Sequence, residues 1–570
     1  KHARAWAVGS GLVLSCASVM AQVPNLPGID AREQQLQQER ERALREQQEQ
    51  RPDVRLQPAA SASDIRIPAS ESPCFRIDRV ELVGDASEAF QWAIEAADEP
   101  ADPARGRCLG TTGINIVMAR IQNAIVKRGY VTTRVLAGNQ DLQTGVLRLT
   151  LVPGRVHAVR FADGVEADWV TALNAVPAKP GDLLNLRDIE QGLENFKRVP
   201  TVEADIQIVP TEGADAAAGQ SDLVISWRQA RRWRLSLSAD DAGSRGTGKY
   251  QGTATVSLDN LFTVNDLFYV SYNHALTPFN SNGRNTDGYN AYYSIPFGYW
   301  QVTSTYSDSN YYQTVAGAYQ DYRYSGRSSN FDVKLSRLIW RDATSKTTVG
   351  AKVWQRTSSN YIDDTEVEVQ RRRTAGWGAE ISHRHFIGAA TLDMTFDYRK
   401  GTGAFDALPA PEEAFGEGSS RMRLWSFNAS LDIPFTLADQ RLRYSTTWRQ
   451  QWNGTPLSSQ DRLSLGNRYT IRGFDGELTL MGERGFVWRN ELSAAIPAIG
   501  AEAYWGVDYG RVFGFPTADQ LGQSLAGTAL GLRGSVVRIG YDVFIGAPLY
   551  KPRGFVTANP VVGFNLNWSY

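Results

Sequence analysis

From about Arg231 to Tyr570 apolar and polar residues alternate in run after run. Trp233, Leu235 and Leu237 alternate with Arg234, Ser236 and Ser238, and Leu392, Met394, Phe396 and Tyr398 with Asp393, Thr395 and Asp397. Trp425, Phe427, Ala429, Leu431 and Ile433 alternate with Ser426, Asn428, Ser430 and Asp432, and Val537, Ile539, Tyr541 and Val543 with Arg538, Gly540 and Asp542. A period of two sends the sets to opposite faces of a strand. Segments of about ten residues, apolar on one face and polar on the other, predict a transmembrane β-barrel with a hydrated interior. About 340 residues at roughly 20 per strand and turn predict about 16 antiparallel strands, a size that encloses an aqueous channel. In the terminal segment PVVGFNLNWSY, Val562, Phe564, Leu566, Trp568 and Tyr570 face one way. A last strand of this kind is expected to pair with the first and leave no edge unpaired in lipid.

Upstream, the period changes. Phe75, Ile77, Val80 and Leu82 form a strand-like series ending at Gly84. Helical patterns follow at Ala89–Ala97 and Ile114–Lys127, then strands at Val131–Leu136 and Gly145–Val152. A second unit repeats the order: strand Val156–Phe161, helices near Trp169–Ala175 and Leu186–Lys197, and strands Val202–Val209 and Asp222–Trp227. The shared order is an internal duplication of topology. Residues 30–51 are almost all good helix formers, with Asp30 as the expected N-cap and Pro52 as the stop. This helix has no apolar stripe, so it predicts either a flexible tail or a helix held in a wet pore. Residues 52–72, rich in Pro, Ala and Ser, read as a linker.

At the other end, Lys1, His2 and Arg4 precede an apolar run to Met20, and Val19-Met20-Ala21 offers a signal-peptidase site. The expectation is a secretory signal over residues 1–21 with Gln22 as mature start; the rival reading is a lipoprotein site at Cys16. No later run is long and apolar enough for a spanning helix. The 15 Trp, 23 Tyr and 22 Phe are concentrated after residue 230, as suits a wall between lipid and water. Sixty basic against 61 acidic residues give no reason to expect nucleic acid. Removal of the signal would leave Cys74 and Cys108, which in an exported protein read as one disulfide, the alternative being two unpaired buried thiols.

The order of parts resembles the transporters of two-partner secretion, of the hemolysin secretion/activation type, within the outer-membrane superfamily that carries POTRA domains. The resemblance rests on Pro73-Cys74-Phe75-Arg76-Ile77 with Arg107-Cys108-Leu109-Gly110, on Lys127-Arg128-Gly129-Tyr130, and on the stretch from Pro180 to Glu194. Ser257-Leu258-Asp259-Asn260-Leu261-Phe262 with Asn265-Asp266-Leu267 resembles the first barrel hairpins. Most specifically, Ile471-Arg472-Gly473-Phe474 resembles the family's Val-Arg-Gly-Tyr motif at the tip of the sixth extracellular loop. The resemblance implies a signal peptide (1–21), a plug helix (22–51), a linker (52–72), POTRA domains at 73–154 and 155–229, and the barrel at 230–570. It implies that the loop folds into the lumen and that Arg472 pairs with Asp508 in Gly506-Val507-Asp508-Tyr509-Gly510, where Gly506 and Gly510 leave room.

The implied function is an outer-membrane pore that exports a large exoprotein, a hemolysin, adhesin or contact-dependent toxin, recognised through its N-terminal secretion domain. Other implied partners are outer-membrane lipid and lipopolysaccharide, and barrel-assembly machinery reading the terminal strand at Phe564, Leu566, Trp568 and Tyr570. The alternatives are a factor that assembles other barrels and a general diffusion porin. No catalytic constellation, cofactor motif or metal set stands out. His383 and His385 lie two apart on one strand face without an evident third ligand. Gly243-Ser244-Arg245-Gly246-Thr247-Gly248 lies between strands and reads as a turn, and Arg371-Arg372-Arg373 as a strand-end cluster.

Overall fold

The lipid-facing alternation closes into a cylinder. In the computed structural model, which describes residues 26–49, 52–56, 66–212, 217–276, 283–317 and 319–570, 16 antiparallel strands form a closed barrel. The expected signal segment and Gln22 lie outside the described residues. The last strand, Val561–Ser569, pairs with the first, Trp233–Asp240, from Asn565 opposite Asp240 to Ser569 opposite Ser236. Outward positions such as Trp377, Ile381, Trp505, Leu530 and Val562 are exposed to the surroundings, whereas inward Asp397, Ser493 and Asp508 are buried in the lumen. Val537 departs from the expected alternation: it sits in a hairpin turn at φ 61, and its strand starts at Ile539. His383 and His385 stack at 6.0 Å on the same face as Met394 and Leu392, their register partners.

The two upstream units share one sheet topology. In the first, Val146–Val152 is central, parallel to Arg79–Val83 and antiparallel to Arg134–Ala137. In the second, Gln220–Gln229 is central, parallel to Arg155–Phe161 and antiparallel to Val202–Pro210. Each sheet is covered by helices whose apolar faces make a separate core, one around Phe90, Ile121 and Leu149 and the other around Leu193, Phe196 and Ile225. Cys74 and Cys108 form a disulfide that ties the start of the first unit to the residues before its helix Thr111–Lys127. Glu71 accepts the N–H groups of Gly110, Thr112 and Gly113 at 2.8–2.9 Å, so a carboxylate sits on that helix's positive end. Two residues beyond this helix, the Gly129 carbonyl accepts the N–H of Leu186, the first residue of the second unit's helix Leu186–Lys197. The units are thereby joined end to end.

The second unit is bolted to the barrel mouth. Arg198 donates to Ser294 Oγ at 2.6 Å and to the Asn265 carbonyl at 2.8 Å, and Asn265 donates to the Thr171 carbonyl at 2.8 Å. The N-terminal helix, Leu26–Gln48, runs inside the barrel. It starts a turn earlier than Asp30, so Asp30 is not its N-cap. Instead the buried Asp30 carboxylate accepts from Gln34 at 2.8 Å and from the wall's Tyr311 hydroxyl.

Candidate functional site

Two polar elements fill the lumen, and each is held by the inward face of the strands. At its outer end the helix Leu26–Gln48 is tied by Arg32, which donates to the Glu477 carbonyl at 3.0 Å. Midway, Arg449 of the wall pairs with Glu39 at 2.7 Å. At the periplasmic end Gln48 accepts from Ser257 at 3.0 Å and Arg234 at 3.1 Å. Leu44 packs on wall residues Leu267, Tyr269 and Tyr292, a small apolar contact within a polar interface. Helix and wall therefore match by charge and hydrogen bonding. Beside the helix a cavity of about 720 Å³ remains, lined by charges of both signs that include Arg45, Glu49 and Lys334.

The second element is the connection 454–483 between the strands Gln440–Asn453 and Arg484–Ile496. Its stem pairs Leu463–Leu465 with Leu480–Gly482. Its tip turns inward because Ile471 and Phe474 bury, with Leu465, Val512, Leu525 and Phe555, in a dry cluster against the wall. Between them Arg472 is driven onto the inner face. Its Nε and Nη2 donate to the two Asp508 oxygens at 2.8 and 2.7 Å, and its backbone N–H donates to Oδ2 at 2.9 Å. Asp508 is fully buried and Arg472 nearly so. A guanidinium fork on a carboxylate fixes distance and orientation together.

The structure thus brings together Arg472 and Asp508, with Gly506 directly beneath the guanidinium: a β-carbon there would collide with it. Gly510 gives room to Leu465 and Ile471 of the loop. Gly473 adopts φ 93 and lies against the Ala547 backbone, so a side chain is barred both by conformation and by space. Sequence reasoning missed Glu491, a second acceptor for Arg472 at 2.5 Å, and Arg533, which joins Glu491 at 2.8 Å to Glu502 at 2.6 Å. It also missed Gly527 and Gly546, which open the neighbouring strands to the loop backbone at Arg472 and Gly473. Their inward register was the available signal, since Gly527 stands opposite Asp508. Of the terminal aromatics, Tyr570 packs on Trp233 at 5.4 Å and Trp568 at 6.3 Å, at the barrel seam, while the Phe564 carbonyl accepts from Arg468 of the loop at 3.2 Å. Arg371 and Arg372 pair with Glu366 and Glu412 at the outer strand ends.

Comparison with known proteins decides the family. Residues 219–534 match the haemolysin secretion/activation protein family ShlB/FhaC/HecB, residues 75–154 a POTRA domain of the ShlB type, and residues 155–210 a further POTRA domain. The chain belongs to the haemolysin secretion/activation family. Within it, the outer membrane transporter CdiB-2 of Burkholderia pseudomallei is 36% identical over 576 residues, 97% of each chain. The hemolysin transporter protein ShlB of Serratia marcescens is 24% identical over 428 residues, 75% of this chain and 74% of that protein. The solved structure of CdiB from Acinetobacter baumannii superposes with a TM-score of 0.82 at 30% identity, covering 96% of this chain and 99% of that one. As a member of the haemolysin secretion/activation family, this is an outer-membrane barrel with its POTRA domains in the periplasm.

Proposed function

We propose that the protein exports one large exoprotein, of the hemolysin, adhesin or contact-dependent toxin kind, from periplasm to cell surface without nucleotide. The observation that carries this is a polar lumen filled by two separately held elements, with the POTRA pair at its inner mouth. A helix running the length of the lumen would obstruct passive diffusion, and the family relatives are transporters. In this reading the exoprotein's N-terminal secretion domain is captured in the periplasm by strand addition to a POTRA sheet edge such as Val202–Pro210. The helix Leu26–Gln48 is the resting plug and leaves as the chain enters. Its lack of an apolar face suits both of its environments, because both are wet. Ile471, Arg472, Gly473 and Phe474 hold the loop tip on Asp508, shaping the conduit beside the departing plug.

The outward aromatic belt meets outer-membrane lipid and lipopolysaccharide. The strand carrying Phe564, Leu566, Trp568 and Tyr570 serves as the segment that barrel-assembly machinery engages during biogenesis. The test is surface delivery of the partner exoprotein, read by protease accessibility on intact cells, with residues 73–228 deleted. Delivery is expected to stop while the barrel remains in the membrane. Undiminished delivery would refute the proposed route.

A further inference from the structure

Residues Pro52–Leu56 follow the plug and lie in a cleft between the helix Leu186–Lys197 and the periplasmic rim of the barrel. This short strap is held on every side. In extended chain, the N–H and C=O groups of alternate residues leave along one edge. Here those are the groups of Val54 and Leu56, and all four meet charged side chains. Val54 donates to Glu194 at 3.0 Å and its carbonyl accepts from Arg341 at 2.7 Å. Leu56 donates to Glu190 at 2.7 Å and its carbonyl accepts from Arg187 at 3.4 Å. The side chains of the same two residues pack on the core of the second POTRA domain. Asp53 and Arg55 turn the other way: Asp53 pairs with Lys346 at 2.7 Å, and the Arg55 guanidinium lies 4.1 Å over the Phe386 ring.

The charged groups that do this are themselves a built unit. Arg341 is bonded to both Glu190 and Glu194 at 2.9 Å, and Arg187 to Glu190 at 2.7 Å, with the Arg341 and Glu190 side chains 3% and 1% exposed. Buried charges that turn their remaining hydrogen-bonding capacity onto main-chain atoms recognise an extended backbone whatever its sequence. The two apolar positions and the cationic corner at Lys346 add a short pattern: acidic, apolar, any residue, apolar. Peptide-binding sites elsewhere combine main-chain hydrogen bonds with pockets for alternate side chains in the same way.

We infer that this cleft is a receptor for extended segments of the exported chain, occupied at rest by the strap as a built-in substitute. A passenger segment of the acidic–apolar–any–apolar pattern takes the strap's place, and displacing the strap frees the tether that holds the plug at the pore mouth. The inference rests on the export function proposed above and adds where, and by what chemistry, the moving chain is first gripped beside the pore.

Two measurements test it. In the first, a photo-crosslinking amino acid replaces Arg55 in the full chain, the position that the pattern leaves open and that faces Phe386 of the barrel rim, and cells are irradiated before the exoprotein is induced, tying the strap into the cleft. Without irradiation these cells should export as the wild type does, and with it export should fall at least about tenfold. Unchanged export after confirmed cross-linking overturns the inference. Absence of exoprotein export by the unmodified chain instead overturns the export reading itself. In the second, a synthetic peptide of the sequence from Arg51 to Gln57, and a scrambled control, are titrated onto the purified full-length protein. The variant V54D/L56D, which unseats its own strap, should bind the strap peptide at least about tenfold more tightly than the wild type, and neither protein should bind the scrambled one. Equal affinity of variant and wild type, or equal binding of both peptides, overturns the receptor.

Discussion

Arg472 carries two carboxylates, Asp508 and Glu491, and the network continues through Arg533 to Glu502, so charges alternate in sign down the wall. Removing the guanidinium would leave a buried Asp508 without its principal partner, a loss on the order of 3–5 kcal/mol. The variant Arg472→Ala is therefore expected to abolish export, as read by surface exoprotein, while the barrel keeps its heat-modifiable mobility on gels. Arg472→Lys should not rescue it, because an ammonium cannot form the fork. Export at the normal level by either variant would dissociate the contact from function. The pair itself was legible only through the family resemblance, which matched both the loop motif and the wall segment; on its own, Arg472-Gly473 reads as a solvated turn. Glu491 was not, since an acid on the polar face of a barrel strand looks the same whether it meets water or an arginine. Asp30 was misjudged for a related reason: an Asp among helix formers suggests a cap, but here the wall's Tyr311 and the helix's own Gln34 satisfy its carboxylate.

Among the elements, the first POTRA domain depends on more than its apolar core. Asp102 accepts the Ile67 N–H at 2.8 Å and pairs with Arg120 at 2.6 Å and with Arg107, next to the disulfide at Cys108. The Ile67 N–H first, and then the two guanidiniums against the cost of burial, hold the Asp102 carboxyl below the usual carboxylate range. A depressed carboxyl stabilises the fold at pH values above its unfolded value, about 4, and that contribution is lost as pH falls through the lowered folded value. Hydrogen-exchange protection factors in Thr111–Lys127, which remove the intrinsic pH dependence of exchange, should thus fall on acidification from pH 5 to 3, and those of Asp102→Asn should be lower already at pH 7 with a flatter pH response. Equal protection of variant and wild type at pH 7 would exclude this role. The helices and sheets of both domains were legible in outline, because apolar spacing changes from two to near four at each boundary. The strap was not: Val54 and Leu56 are two apolar residues in a Pro-rich stretch, and it is their backbone, which has no sequence signature, that is bound.

For the molecule as a whole, the barrel was legible because lipid and water impose opposite demands on alternate residues over 16 strands. What occupies its interior was left open by the residues alone, since a polar helix is equally at home in free solution, and was legible only through the family resemblance. The structure makes the occupancy measurable. Deleting residues 26–48 is expected to raise single-channel conductance in planar bilayers severalfold, because the helix spans the lumen from Glu477 at the outer side to Ser257 at the inner. An unchanged conductance would mean that the helix does not limit the pore. The strap also has a consequence for timing. A plug that leaves the lumen stays covalently joined, through the residues between Glu49 and Ile67, to a domain fixed at the pore mouth. That tether reaches at most about 60 Å when fully extended. The departed helix therefore faces its lumen at an effective concentration on the order of millimolar, whatever the number of pores in the cell. If export runs as proposed, resealing is a first-order event that begins when the last passenger residue clears, and the outer membrane needs no signal or second protein to close behind its cargo.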